Sequence, residues 1–279
     1  MHVISKHNNH SMKRIIIFKG GLGNQLFQYG MYTYQRDIKH QDVRYMYREA
    51  GHNGFEIDRF FDVSLKPAKK IYNWLYWIVW RLNKYKLLPR FIYFERGGRD
   101  EKPSDLFING YWGDKQYFMH QYCKLEYKPL ALSERNKSVA TDMQNSKSVA
   151  VHIRRGDYLL PQNQRLFYML GEEYYRQAIT MCQEKLGTDT KFFFFSDDIG
   201  WVKEHLFVQN AQYIDWNKGD DSIFDMYLMS MACADIIANS TFSFWAAMLN
   251  RRAQLVIGPA HWYADGRPRD IFPDNWVKL

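Results

Sequence analysis

Ser148-Val149-Ala150-Val151-His152-Ile153 runs straight into Arg154-Arg155-Gly156-Asp157-Tyr158, and this junction decides how the chain is read. Six residues without formal charge, rich in β-branched side chains, fit a strand buried on both faces. A basic turn with one glycine then marks its carboxyl end. Alternation along the strand places His152, Arg154 and Gly156 on one side and Ile153 and Arg155 on the other. Working outward, helical spacing predicts a helix over Glu172–Leu186, and Lys191–Phe195 reads as a second buried strand. A short helix over Ile199–Leu206 and a strand over Ala211–Ile214 follow. Ser222–Met231 and Phe242–Asn250 read as helices, Asp235–Ala238 and Gln254–Ile257 as strands. Strands alternating with helices of this length imply βαβ units and a parallel sheet, with ligands beyond the carboxyl ends of the strands.

The first half begins the same way. Arg14–Phe18 reads as a strand, Gly20–Gly23 as a turn, Asn24–Lys39 as a helix and Val43–Tyr47 as a strand. Periodicity fades between residues 50 and 105, and Leu106–Gly110 reads as a strand again. The polar stretch Ser133–Lys147 reads as a linker. The expected organisation is a flexible tail at 1–12, an α/β lobe at 13–145 and a second α/β lobe at 146–279, with the last segment free to return to the first lobe. The expected fold class is α/β: two Rossmann-type lobes with parallel sheets and a cleft between them as the site.

Composition narrows the class. The 279 residues are 46% apolar and 24% charged, which excludes a disordered chain, a collagen and a disulfide miniprotein. Lys and Arg number 38 against 30 Asp and Glu, a net charge of +8. The basic residues are dispersed and carry no helix-turn-helix, zinc-finger or RNP1 signature, so nucleic acid is not an expected partner. Cys123, Cys182 and Cys233 are widely spaced and read as reduced core thiols, which fits a cytoplasmic protein. Ile71–Phe94 is rich in Trp and Tyr, but Arg81, Lys84, Lys86 and Arg90 interrupt it, so it does not span a membrane. Two readings stay open: a buried helix with a solvated basic end, or a helix lying on a membrane surface.

Four motifs fall at strand ends. Gly20-Gly21-Leu22-Gly23-Asn24-Gln25 lets backbone approach a ligand closely, or is a plain tight turn. It lacks the third glycine of a dinucleotide fingerprint and the Lys of a P-loop. His152, Arg154, Arg155 and Asp157 suit an anion, since the guanidinium fork matches phosphate; an intraloop Arg–Asp pair is the simpler alternative. Asp197 and Asp198 suit a base edge or a helix cap, and the Asp-x-Asp of metal-dependent glycosyltransferases is absent. Ser240, Thr241 and Ser243 open a helix, where free N–H groups and hydroxyls hold an anion or simply cap. Together these motifs suit a nucleotide diphosphate with a polar base, and so a nucleotide-sugar-dependent transferase.

GGLGNQLFQYG, VHIRRGDYL, FSDD and DMYLMSMACADIIANSTFSFWAAML resemble, in that order, the α-1,2-fucosyltransferase family of the bacterial type. The resemblance covers nearly the whole chain from Lys13 and is weakest between 50 and 105. It implies a GT-B fold, GDP-β-L-fucose as donor, no cofactor and no metal, and inversion at the fucose anomeric carbon. It also implies a terminal β-galactose of a surface polysaccharide or lipopolysaccharide as acceptor, on a cytoplasmic enzyme with peripheral contact to the inner membrane left open. By the same resemblance Arg154 contacts the β-phosphate and neutralises leaving GDP, while His152 and one of Asp197 and Asp198 read guanine. Ser240, Thr241 and Ser243 hold the pyrophosphate, and Gly23 and Asn24 face the cleft near fucose and acceptor. Asp157 positions Arg154 or Arg155. No general base is assigned; Asp, Glu and His of residues 50–120 all stay open.

Overall fold

A computed structural model describes residues 13–48, 53–85, 91–95, 100–102 and 104–279. The tail expected at 1–12 lies outside the described residues. Strands β1 (Lys13–Phe18), β2 (Asp42–Tyr47), β3 (Ile92–Phe94) and β4 (Phe107–Asn109) form one sheet, in the order β2-β1-β4-β3. Strands β5 (Ser148–Ile153), β6 (Lys191–Ser196), β7 (Ala211–Ile214), β8 (Ala234–Ile236), β9 (Leu255–Gly258) and β10 (Val277–Lys278) form a second, in the order β10-β9-β8-β5-β6-β7. Every pairing within both sheets is parallel, as the alternation of strands and helices predicts.

The middle of the second sheet is buried on both faces because the central positions of β5 and β6 are apolar on both sides. Ala150, Phe193 and Phe195 point to one side, Val149, Val151, Phe192 and Phe194 to the other. The outer side is covered by the helix Glu172–Leu186 through Tyr175, Ala178, Ile179 and Cys182. The inner side joins a core shared with the first lobe. Phe27, from the helix Leu22–Thr33, stacks on Phe244 and meets Trp245 edge-on, both at 5.1 Å, from the helix Thr241–Leu249. The far face of the first sheet is covered by the helix Ile71–Lys84, which buries Tyr76 and Val79 against Ile15, Ile17 and Phe107.

The linker expectation is corrected. Glu134–Asn145 is a helix, capped by Ser133, whose hydroxyl accepts the Asn136 N–H at 3.2 Å. Asn136 is buried because it trades hydrogen bonds with Asn217 (2.9 and 3.2 Å) and accepts from the Trp216 indole at 2.8 Å. That polar core position hides the helix from a hydrophobic-pattern reading. The long helix expected from Asn24 instead starts at Leu22, and its last turn, Tyr34–Ile38, widens into a π-helical turn. Of the cysteines only Cys182 is a buried thiol; Cys233 is half-buried and Cys123 exposed. At the chain's end β10 lies in the second sheet, while just before it Asp270 and Asp274 pair with Lys115 of the first lobe at 3.3 and 2.9 Å.

Candidate functional site

Strand order locates the cleft. In the first sheet the chain leaves β1 toward β2 on one side, and β4 lies on the other; in the second it leaves β5 toward β6, with β8 opposite. At such switch points the loops part beyond the strand ends and leave a crevice. The loops after β1, β4, β5 and β8 line one cavity of about 2010 Å³ between the lobes.

The loop after β5 is held by ion pairs. Arg154 Nη2 lies 2.7 Å from Asp157 Oδ1, and its Nη1 lies 2.9 Å from Asp197 Oδ2, just past the end of β6. The other Asp197 oxygen accepts the Arg155 N–H at 2.9 Å. A Cβ on Gly156 would come within 2.8 Å of Asp197 Oδ2, so the turn leaves no room for a side chain there. Two carboxylates thus fix the plane of one guanidinium, and Arg154, Asp157 and Asp197 all line the cavity. The trio carries a formal net −1, so any anion there would need further positive potential. The start of the helix Thr241–Leu249 supplies part of it, and the side chains of Lys19, Arg267 and Arg269 line the same cavity.

His152 also lines the cavity, 8% exposed, with its Nδ1 lacking a hydrogen-bond partner among the described residues. Burial and the neighbouring Arg154 push its pKa down to about 4, against the opposing pull of Asp197. The ring is therefore neutral near pH 7, and its unpartnered Nδ1 is buried. After β8, Asn239 is locked by bonds from its amide to the Tyr168 and Trp262 carbonyls at 2.8 and 2.9 Å. Ser240 caps the following helix by accepting the Phe242 N–H at 3.3 Å, and Ser240 and Thr241 line the cavity.

Three residues expected at the donor lie behind this wall. Arg155 turns away from the cavity, its Nε 3.1 Å from Asp198 Oδ2 and its guanidinium 4.1 Å from the Trp201 ring centre. Asp198 accepts the Trp201 N–H at 3.2 Å and caps the helix Ile199–His205. The pair braces the loop from outside. Ser243 is fully buried, its hydroxyl bonded to the carbonyls of Ala238 and Ser240 at 3.4 Å, because helical spacing turns it inward from the cap.

On the opposite wall stand Gly23 and Asn24. A Cβ on Gly23 would sit 2.5 Å from the Thr241 carbonyl carbon, so here the lobes touch backbone to backbone. The turn before it needs Gly20, whose φ is +75°. Gln25, fully buried, donates to the carbonyls of Gly20 and Gly54, both at 2.8 Å, and accepts the N–H groups of Glu56 and Ile57 at 2.9 and 3.2 Å. Gln28 ties Lys19 to Gly110 with bonds of 3.0 to 3.2 Å.

The sequence reading missed other cavity residues. Glu95 accepts the N–H groups of Tyr111 and Gly113 at 2.7 and 3.2 Å and so shapes the loop after β4. It falls in the stretch where periodicity fades. Asp225 is held by the Asn217 amide at 2.7 Å, and burial raises its pKa to about 7. A single acid inside the apolar run Ile223–Met231 is the signal that could have found it. Among the described residues, no group of three or more His, Cys, Asp or Glu side chains is arranged to hold a metal ion.

Two parallel α/β sheets sharing one cavity at their switch points are the architecture of a GT-B-type glycosyltransferase. Residues 100–279 match glycosyl transferase family 11, and the chain belongs to that family, the α-1,2-fucosyltransferase family. It is 31% identical to an α-1,2-colitosyltransferase of Escherichia coli, over 93% of this chain and 96% of the relative. It is 29% identical to the Escherichia coli O-antigen biosynthesis glycosyltransferase WbnK, over 93% and 98%. In fold it is similar to the Bradyrhizobium fucosyltransferase NodZ (TM-score 0.52, 13% identity, 85% of this chain and 93% of that one). It is also similar to a mutant of Arabidopsis thaliana FUT1 in complex with GDP (TM-score 0.54, 10% identity, 90% and 71%).

Proposed function

We propose that this glycosyltransferase moves L-fucose from GDP-β-L-fucose to the 2-hydroxyl of a terminal β-galactoside in an O-antigen or similar surface glycan, with inversion and without a metal. The observation that carries the reading is Arg154, forked between Asp157 and Asp197 at a sheet switch point and sharing one cavity with the capped start of the helix Thr241–Leu249. The names of the relatives support a glycan acceptor, and GDP is the nucleotide in the FUT1 complex.

In this reading the acceptor oxygen attacks the anomeric carbon from the face away from GDP. The bond from that carbon to the β-phosphate oxygen breaks, its electron pair leaves with GDP, and the acceptor proton passes to solvent or a nearby carboxylate. In this reading charge grows on the β-phosphate and is met by Arg154 and the start of the helix Thr241–Leu249; such preorganised donors are usually the largest catalytic contribution. Asp157 and Asp197 position Arg154. Neutral His152 hydrogen-bonds the nucleotide without adding charge. Both oxygens of Asp197 and of Asp198 are engaged within the protein, whereas Asp225 lines the cavity with its Oδ1 on the Asn217 amide, so in this reading Asp225 takes the guanine N1–H and amine, and Asn24 stands near the fucose.

The test is GDP release from GDP-fucose, with and without lactose, in EDTA. Lactose-dependent release is expected. Strict dependence on added Mn²⁺ contradicts the metal-independent reading. GDP that stabilises the fold with no turnover on any acceptor indicates a binding protein. The identity to a colitosyltransferase favours one second reading, a related GDP-sugar as donor; relative rates across a panel of GDP-sugars separate the two.

A further inference from the structure

We propose that the outer face of the helix Ile71–Lys84 docks the protein on an anionic lipid bilayer, beside the mouth of the cleft. The helix covers the first sheet with Tyr76 and Val79, and its opposite side exposes Ile71 (59%), Trp74 (62%), Trp77 (47%) and Trp80 (43%). Lys70, Arg81 and Lys84 stand among these rings, Arg81 lying 5.3 Å from the Trp77 ring centre. Among the described residues none of Lys69, Lys70, Arg81 and Lys84 is paired with a carboxylate. From Val63 to Phe94 the sequence holds seven basic residues (Lys66, Lys69, Lys70, Arg81, Lys84, Lys86, Arg90) and no acidic one, nearly matching the net charge of +8 of the whole chain.

Charge selects the occupant. A two-fold dimer would set this face against itself, cation against cation. An anionic bilayer neutralises the cations, while indole rings settle at the headgroup level. The helix Ile71–Lys84 lies on the surface, since among the described residues no helix is long and apolar enough to cross a membrane. Its position also has a use. Trp80 lines the main cavity, and Trp77 and Trp80 line an adjoining pocket of about 220 Å³ with Lys19 and Asn109. An acceptor glycan carried on a lipid would enter the cleft from this side. That last clause rests on the proposed transfer reaction; the docking does not.

The experiment is sedimentation of the full chain with phosphatidylcholine vesicles, pure or with about 30% phosphatidylglycerol. Binding to the anionic vesicles is expected to be at least ~tenfold tighter and to weaken steeply with salt. The triple variant Lys70→Glu/Arg81→Glu/Lys84→Glu is expected to lose about tenfold or more of that affinity, and Trp74→Ser several-fold. Both variants are expected to keep the wild-type melting temperature and, if the transfer reaction holds, lactose-dependent turnover. Because vesicle binding needs neither donor nor acceptor, its failure and failure of the transfer reading are separate results. Equal binding to both vesicles, or no loss in the triple variant, overturns the docking. So does a dimer that Trp74→Ser dissociates, or RNA bound more tightly than the vesicles.

Discussion

The two lobes hold their halves of the cleft by different means. In the second lobe, charges do it: Arg154 between Asp157 and Asp197, with Arg155 on Asp198 as a brace behind. In the first lobe, buried amides do it: Gln25 and Gln28 gather the backbone of the loops at Gly20, Gly54, Lys19 and Gly110. An ion-pair clamp leaves a charged group half-open to solvent yet fixed in direction, which suits a wall where negative charge develops. An amide clamp fixes shape and adds no charge of its own, which, under the proposed transfer, suits a wall that receives a neutral sugar. The lobes meet where neither device is needed, with Gly23 against the Thr241 backbone.

The sharpest way to break this comparison is Arg154→Ala. If Arg154 meets the leaving charge, turnover falls by about 10²–10³, and thermal melting stays within a few degrees because the side chain is 35% exposed. Near-normal GDP release would remove the catalytic half of the argument. Gln25→Leu tests the other half. It removes four hydrogen bonds, from two carbonyls and two N–H groups, that a fully buried amide now makes. Buried unsatisfied groups are costly, and an expected loss of about 2–3 kcal/mol lowers melting by roughly 5–10 °C. Turnover measured well below the transition is expected to drop less than tenfold. A variant that melts normally but loses activity as Arg154→Ala does would erase the distinction between the two walls.

The same contrast explains what could be read from the residues alone. The second lobe was legible because its central strands β5 and β6 have six residues each, carry apolar runs and are followed at once by polar turns. Alternation even separated Arg154, in the cavity, from Arg155, behind it. Residue type could not tell whether a hydroxyl or carboxylate faces ligand or backbone, so Ser243 and Asp198 were expected at the donor and instead hold a helix start and a brace. The first lobe was legible at β1, the helix after it, β2 and β4, and opaque between residues 50 and 105, where β3 has three residues and the helix Ile57–Phe60 four, too short for any period to show. The amide clamps of Gln25 and Gln28 left no pattern either, since a Gln in a helix reads as surface until its partners are known. The family signature supplied the chemistry that these patterns could not.

The smallest effect sharpens the rule that carboxylates in the second lobe act in pairs. Asp235 breaks it, as Asp225 on the Asn217 amide does: in β8, 2% exposed, Asp235 faces the Asn250 amide at 2.7 Å rather than a cation. Asn250 is fixed in that direction because its Oδ1 accepts the N–H groups of Arg252 and Ala253 at 2.8 and 3.1 Å. Burial raises the Asp235 pKa to about 8, with the Asn250 bond pulling the other way. The folded chain therefore keeps its proton in a range where the unfolded chain, near the ordinary carboxyl value, has lost it. That contribution to stability is complete below about pH 4, shrinks as pH rises, and is gone once pH passes about 8. Asp235→Asn is neutral at every pH and keeps the shape, so it removes only this dependence. At pH 8.5 the variant is expected to melt a few degrees above wild type, for about 1–2 kcal/mol, and at pH 4 no higher than wild type. Melting curves that run parallel from pH 4 to 8.5 would show a carboxylate ionised without a cation, and charge pairing would no longer separate this lobe from its neighbour.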